Sequence, residues 1–147
     1  MSENIILIAE DDAGHFELVK RNLWRSCAGC EIEHFKDGQA ILDYLFDPSE
    51  TYGRRDGCRY ILLLDIRMPK VDGHEVLGRI KQDDRIRAMP VIMLTTTDDA
   101  AEIRKCYELG CNFYIVKPAD YNKFMQVVSN LGGLLSLKGF GVPEITS

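Results

Sequence analysis

Four places in the sequence carry groups that could do chemistry together, and each follows a short apolar run. Glu10-Asp11-Asp12 follows Ile5-Ile6-Leu7-Ile8-Ala9, and Asp65 follows Ile61-Leu62-Leu63-Leu64. Thr95-Thr96-Thr97 follows Val91-Ile92-Met93-Leu94, and Lys117-Pro118 follows Tyr114-Ile115-Val116. Brought to one rim, the carboxylates repel, and each disfavours ionisation of the others. A divalent cation relieves that repulsion and reverses the local pKa logic. Oxygen-only donors select hard ions, and Mg²⁺ typically takes one or two carboxylates plus waters and phosphate oxygens. A lysine adds a counter-charge and a threonine hydroxyl adds a donor. Such a set suits a phosphoryl group held beside Mg²⁺. Phosphoryl transfer needs positioning and charge neutralisation more than covalent chemistry from the protein. An aspartate carboxylate can itself be the acceptor.

These groups share a rim only if the apolar runs are strands of one parallel sheet. Short continuous apolar runs are what strands buried on both faces look like. Glu31-Ile32-Glu33-His34-Phe35 alternates instead, as an edge strand does. Helical spacing fills the intervals. It joins Phe16, Val19, Leu23 and Cys27, then Ile41, Tyr44 and Leu45, then Val76, Leu77 and Ile80. The stripe over residues 98–108 is thinner, with Ile103, Cys106 and Tyr107, and predicts a loosely packed helix that moves easily. Phe124, Val127, Val128, Leu131, Leu134 and Leu135 make the strongest stripe. Gly132-Gly133 interrupts it and predicts that the last helix ends or bends there. Five strands alternating with five helices imply an α/β, doubly wound, five-stranded parallel sheet with helices on both faces. Ligands bind such sheets at the carboxyl ends of the strands, near the point where strand order reverses. Residues 47–59 are polar, with Pro48, Gly53 and Gly57, and read as an extended loop.

The 147 residues suit one domain with a real core. The longest apolar run, residues 60–64, is far short of the roughly 20 residues of a membrane helix. A net charge of −5 argues against nucleic acid, whose binders show a basic stripe. An opening of Met1-Ser2-Glu3-Asn4 lacks the pattern of an export signal. The expectation is therefore a cytoplasmic protein with reduced thiols. Cys27-Ala28-Gly29-Cys30 has CxxC spacing, but no second pair completes a zinc site, and it ends a helical pattern rather than opening one. Cys106 and Cys111 read as packing residues. His15, His34 and His74 read as ordinary polar positions, and Thr96 and Thr97 as solvated loop or helix caps.

The segments Ile5-Ile6-Leu7-Ile8-Ala9-Glu10-Asp11-Asp12, Leu62-Leu63-Leu64-Asp65-Ile66-Arg67-Met68-Pro69-Lys70-Val71-Asp72-Gly73, Val91-Ile92-Met93-Leu94-Thr95 and Tyr114-Ile115-Val116-Lys117-Pro118, in that order, carry a resemblance. Over nearly its full length the chain resembles the CheY-like receiver domains of two-component response regulators. The resemblance implies a flavodoxin-like strand order, 2-1-3-4-5. It implies a single receiver domain over 1–147, with a core of about 4–137 and a short tail over 138–147. It makes Asp65 the phosphoacceptor. Glu10, Asp11, Asp65 and the backbone carbonyl of Arg67 become the Mg²⁺ site, with Asp11 a direct ligand. Thr95 and Lys117 would hold phosphoryl oxygens, and the Lys117–Pro118 bond would be cis. Tyr114 would be an aromatic switch, its ring swinging inward as Thr95 moves toward the phosphoryl group. Arg67 and Thr97 occupy places that tune hydrolysis in this family. The donor would be a histidine kinase or a phosphotransfer protein, and the output protein–protein contact.

The long loop and the lack of an output domain are similar to the stand-alone regulators that partner phytochrome-type histidine kinases. The strong last stripe, running into Leu134, Leu135 and Leu137, predicts a homodimer through the fourth helix, fifth strand and fifth helix. Two other readings compete. Haloacid-dehalogenase-like phosphohydrolases share the Asp, Thr, Lys and Mg²⁺, but they place a second Asp where this chain has Arg67, which donates no useful proton. A pseudo-receiver would bind partners without phosphorylation, and the intact acids, Thr95 and Lys117 argue against it.

Overall fold

The computed structural model describes residues 4–26, 30–46 and 58–136. Strands and helices alternate along the chain. The order is β1 (Asn4–Ala9), α1 (Ala13–Ser26), β2 (Glu31–Phe35), α2 (Gly38–Phe46), β3 (Arg59–Leu64), α3 (Gly73–Lys81), β4 (Val91–Thr95), α4 (Ala100–Leu109), β5 (Phe113–Val116) and α5 (Tyr121–Ser136). All strand pairs are parallel, in the order β2-β1-β3-β4-β5. This is the doubly wound fold that the sequence pattern implies, in the strand order that the resemblance implies.

Side chains alternate across a strand, so each apolar run feeds two cores. Ile5, Leu7 and Ala9 face α2, α3 and α4 with Leu62, Leu64, Val91 and Met93. Ile6 and Ile8 face α1 and α5 with Ile61, Leu63, Ile92 and Leu94. The second core is closed by Phe16, Val19 and Leu23 of α1 and by Phe124, Val128 and Leu131 of α5. β3 is buried from Tyr60 to its end, while all of β2 is half-buried, as befits a sheet edge.

Several expectations need correction. The last helix continues through Gly132-Gly133 to Ser136. Each glycine costs about 1 kcal/mol against alanine, and the burial of Phe124, Val128 and Leu131 outweighs that cost. Cys30 is disulfide-bonded, so the thiols are not all reduced; Cys58, Cys106 and Cys111 are free and buried. Cys27, most of the loop over 47–59, and the side chains of Leu134, Leu135 and Leu137 lie outside the described residues. Among the described residues no helix is long and apolar enough to cross a membrane.

Candidate functional site

The rim at the carboxyl ends of β1, β3, β4 and β5 is built by extending the sheet's hydrogen bonding one residue beyond the strands. Glu10 donates its backbone N–H to the Phe35 carbonyl at 2.9 Å, and Asp65 donates to Ala9 at 3.1 Å. Lys117 donates to Thr95 at 2.7 Å. Backbone bonds therefore set these side chains on the rim. Strand order reverses between β1 and β3, which is where Glu10 and Asp65 meet. Gly73 at the start of α3 closes the floor. Its N–H reaches the Ile66 carbonyl at 2.7 Å, and a Cβ there would lie 2.3 Å from the Asp65 carbonyl oxygen. Only glycine permits that approach.

The base of the site is closed to solvent by burial of its side chains. Glu10, Asp65, Thr95 and Lys117 are all buried. The Lys117 ammonium is bonded to Glu10 Oε1 and lies 3.3 Å from Asp65 Oδ2. Burial pushes Glu10 up to about 7, and Asp65 adds to the rise while Lys117 opposes it. Burial also opposes ionisation of Asp65. There the hydrogen bonds from Glu10 and Thr95 and the charge of Lys117 prevail and hold the carboxyl below the ordinary range. One buried carboxyl is thus kept ionised at the expense of its neighbour. Asp11 stands exposed at the mouth, with one carboxylate oxygen each of Glu10, Asp11 and Asp65 within 4.8 Å of one another. Oxygen donors so crowded, with one carboxyl forced toward its neutral form, suit a hard divalent cation. Beyond Asp11 opens a cleft of about 570 Å³, lined by Arg67, Met68, Asp72, His74, Thr97, Glu102 and Lys105 among others.

Tyr114 is half-buried on the edge strand and packs against the core beneath α4. Its hydroxyl donates to the Thr97 carbonyl at 2.6 Å, and burial pushes that hydroxyl up to about 12. Thr97 is not simply solvated, because its Oγ1 is buried without a hydrogen-bond partner among the described residues. Arg67 is exposed at the cleft. The expected cis bond at Pro118 is absent: no described peptide bond is cis. The trans form is the cheaper isomer even before proline, by about 0.5–1 kcal/mol.

The three histidines, read from the sequence as ordinary polar positions, have neighbours far along the chain. His15 Nδ1 lies 3.2 Å from Lys117 Nζ. His34 stacks on Phe16 at 3.6 Å, and its Nε2 lies 2.8 Å from the Glu10 carbonyl oxygen. His74, on α3, contacts Glu102 and lies 3.7 Å from Cys106 Sγ, both on α4. For His15 a signal existed, since it stands one helical turn beyond the acidic cluster.

Residues 6–129 match the response regulator receiver domain family. A receiver domain from Rhodospirillum rubrum superposes with a TM-score of 0.88 at 38% identity, covering 97% of this chain and 99% of that one. The Mn²⁺-bound response regulator Rcp1 of Synechocystis gives 0.84 at 30% identity, covering 95% and 98%. The phosphorylated cyanobacterial phytochrome response regulator RcpA gives 0.81 at 30% identity, covering 91% and 94%. With a buried aspartate, lysine and threonine at the ends of β3, β5 and β4, two acids after β1, and a family match over most of its length, this chain belongs to the response regulator receiver domain family.

Proposed function

We propose that the protein accepts a phosphoryl group on Asp65 in a Mg²⁺-dependent reaction and passes the signal on by protein–protein contact. The observation that carries this reading is the arrangement of Asp65. Its carboxylate is held ionised beside Lys117 and Thr95, within 4.8 Å of two further acids, at the mouth of an open cleft. The donor is a phosphohistidine on a histidine kinase or a phosphotransfer protein, in the cytoplasm. Likeness to Rcp1 and to the phytochrome regulator RcpA supports a phytochrome-type kinase.

A carboxylate oxygen of Asp65 attacks phosphorus, an O–P bond forms, and the N–P bond of the donor breaks. Glu10, Asp11, Asp65 and the Arg67 carbonyl would hold Mg²⁺, which supplies positive charge for the phosphoryl oxygens. Lys117 turns its ammonium from Asp65 to a phosphoryl oxygen, and Thr95 donates its hydroxyl to another. Thr95 is followed by the loop whose Thr97 carbonyl holds Tyr114. A shift of Thr95 therefore reaches both Tyr114 and the start of α4. We further propose a homodimer through α4, β5 and α5, where Tyr107, Phe113, Val116 and Tyr121 stand exposed.

Intact-mass spectrometry after incubation with acetyl phosphate and Mg²⁺ tests the reaction. The expected result is one added phosphoryl group, labile to hydroxylamine and lost with a chelator or Asp65→Asn. No added mass and no hydrolysis would overturn it in favour of a phosphorylation-independent receiver. Free phosphate rising without a phosphoprotein would point to a phosphohydrolase. Light scattering at tens of micromolar, with and without phosphorylation, tests the dimer, and a monomeric mass in both states rejects it.

A further inference from the structure

A lysine ammonium has three N–H donors and no acceptor capacity. Around Lys117 Nζ stand three acceptors: Glu10 Oε1, Asp65 Oδ2 at 3.3 Å, and His15 Nδ1 at 3.2 Å. Two belong to acids of the proposed reaction; the third comes from α1. Lys117 only donates, so a hydrogen bond between the two requires Nδ1 of His15 as the acceptor, with the ring proton on Nε2. The other polar neighbours of Nδ1 are farther away, Glu10 Oε1 at 3.5 Å and Asp12 Oδ2 at 4.0 Å.

The His15 backbone and the His15 ring each have a neighbour. Asp12 Oδ1 accepts the His15 backbone N–H at 3.0 Å, which fixes the first turn of α1. The ring lies against Phe124 of α5, with centroids 6.1 Å apart. His15 thus stands on the helix that follows the acids, with its ring toward the helix that follows Lys117. It also borders a second groove, of about 620 Å³, shared with Lys117, Pro118 and Phe124.

We propose that His15 is a positioning residue for Lys117. Nδ1 keeps one of the three ammonium protons, so the flexible four-carbon stem is held from the α1 side. The ammonium then stays at the rim when the bond to Asp65 is handed to a phosphoryl oxygen. Without His15, Lys117 must find its reactive rotamer at each turnover, and part of the benefit of preorganisation is lost. This inference rests on the reading of Asp65 as phosphoacceptor.

The test compares wild type with His15→Leu, which keeps bulk against Phe124 but no acceptor, and His15→Asn, whose amide oxygen restores an acceptor near the Nδ1 position. Phosphorylation by acetyl phosphate is followed across a Mg²⁺ series. His15→Leu should slow phosphorylation about three- to tenfold, the loss of one hydrogen bond, with the half-saturating Mg²⁺ concentration within about twofold. His15→Asn should recover the wild-type rate to within about twofold. An unchanged rate in His15→Leu, no recovery in His15→Asn, or an effect confined to the Mg²⁺ dependence each overturns the proposal. If wild type takes no phosphoryl group, the reading of Asp65 has failed instead. The ¹⁵N resonances of the His15 ring then judge the contact alone. Nδ1 must report an unprotonated acceptor whose shift moves in Lys117→Met, and a shift that does not move rejects it.

Discussion

α3 and α4 lie side by side on one face of the sheet and are nearly equal in length, yet they are held in different ways. Both start on an aspartate cap: Asp72 accepts the Glu75 N–H, and Asp99 accepts those of Ala101 and Glu102. α3 then buries Gly73, Val76, Leu77 and Ile80, whereas the buried residue of α4 is Cys106. At its far end α3 is tied by Lys81, which donates to the carbonyls of Arg87 and Met89 at 3.0 and 2.7 Å. α4 ends on Gly110, at a φ of 105° that suits glycine. Local signals therefore define both helices equally well, and burial separates them. Most helix stability in proteins comes from packing an apolar face. The helix that follows the Thr95 loop is the one with little to lose by moving, while α3 anchors the floor under Asp65.

The largest expected effect tests that anchoring. Leu77→Ala in α3 should cost about 2–5 kcal/mol in urea unfolding, whereas Ile103→Ala in half-buried α4 should cost less than half as much. Equal losses would erase the contrast between the helices. Next, Gly73→Ala should cost about 1–3 kcal/mol, because its Cβ meets Asp65 backbone. The same variant should also slow phosphorylation of Asp65 by acetyl phosphate, which separates a disturbed site from a loss of stability alone.

Alkaline pH should attack the α4 side first. Burial pushes Cys106 up to about 11 and Tyr114 up to about 12, from 9.0 and 10.0. Both are acids whose neutral form the fold favours. Between the ordinary and raised values the folded state binds more protons than the unfolded chain, so stability falls as pH rises. The urea midpoint should decline above about pH 9, and Cys106→Ala with Tyr114→Phe should flatten that decline. The smallest effect concerns the lateral tie between the helices. His74→Leu removes the contacts to Glu102 and Cys106 and should cost about 0.5–1.5 kcal/mol. Amide exchange should quicken in α4 while α3 keeps its protection.

Much of this was readable because it is local. A buried parallel strand shows itself as a continuous apolar run, so Ile5 to Ala9 and Ile61 to Leu64 announced the centre of the sheet. The residues after each run are the residues on the rim, which is why Glu10, Asp11, Asp65, Thr95 and Lys117 were found together. For the last helix, Gly132-Gly133 left an end or a bend open, and the helix does not end there, because Phe124 and Leu131 pack it against the core that α1 closes. The partners of His34 and His74 were hidden for the same reason, since a lone histidine in sequence carries no trace of a neighbour 24 or 28 residues away.

By itself, then, the sequence determined the alternation of elements, the two-sided sheet and the chemical types at its rim. Those follow from side-chain periodicity and from the identity of one residue after each strand. The tertiary structure alone decided that Lys117 has a third acceptor, that His74 links α3 to α4, that Thr97 Oγ1 is buried without a partner, and that the carboxyls of Glu10 and Asp65 shift in opposite directions. Each of these depends on distance and burial between groups far apart in the chain, and only folding fixes those.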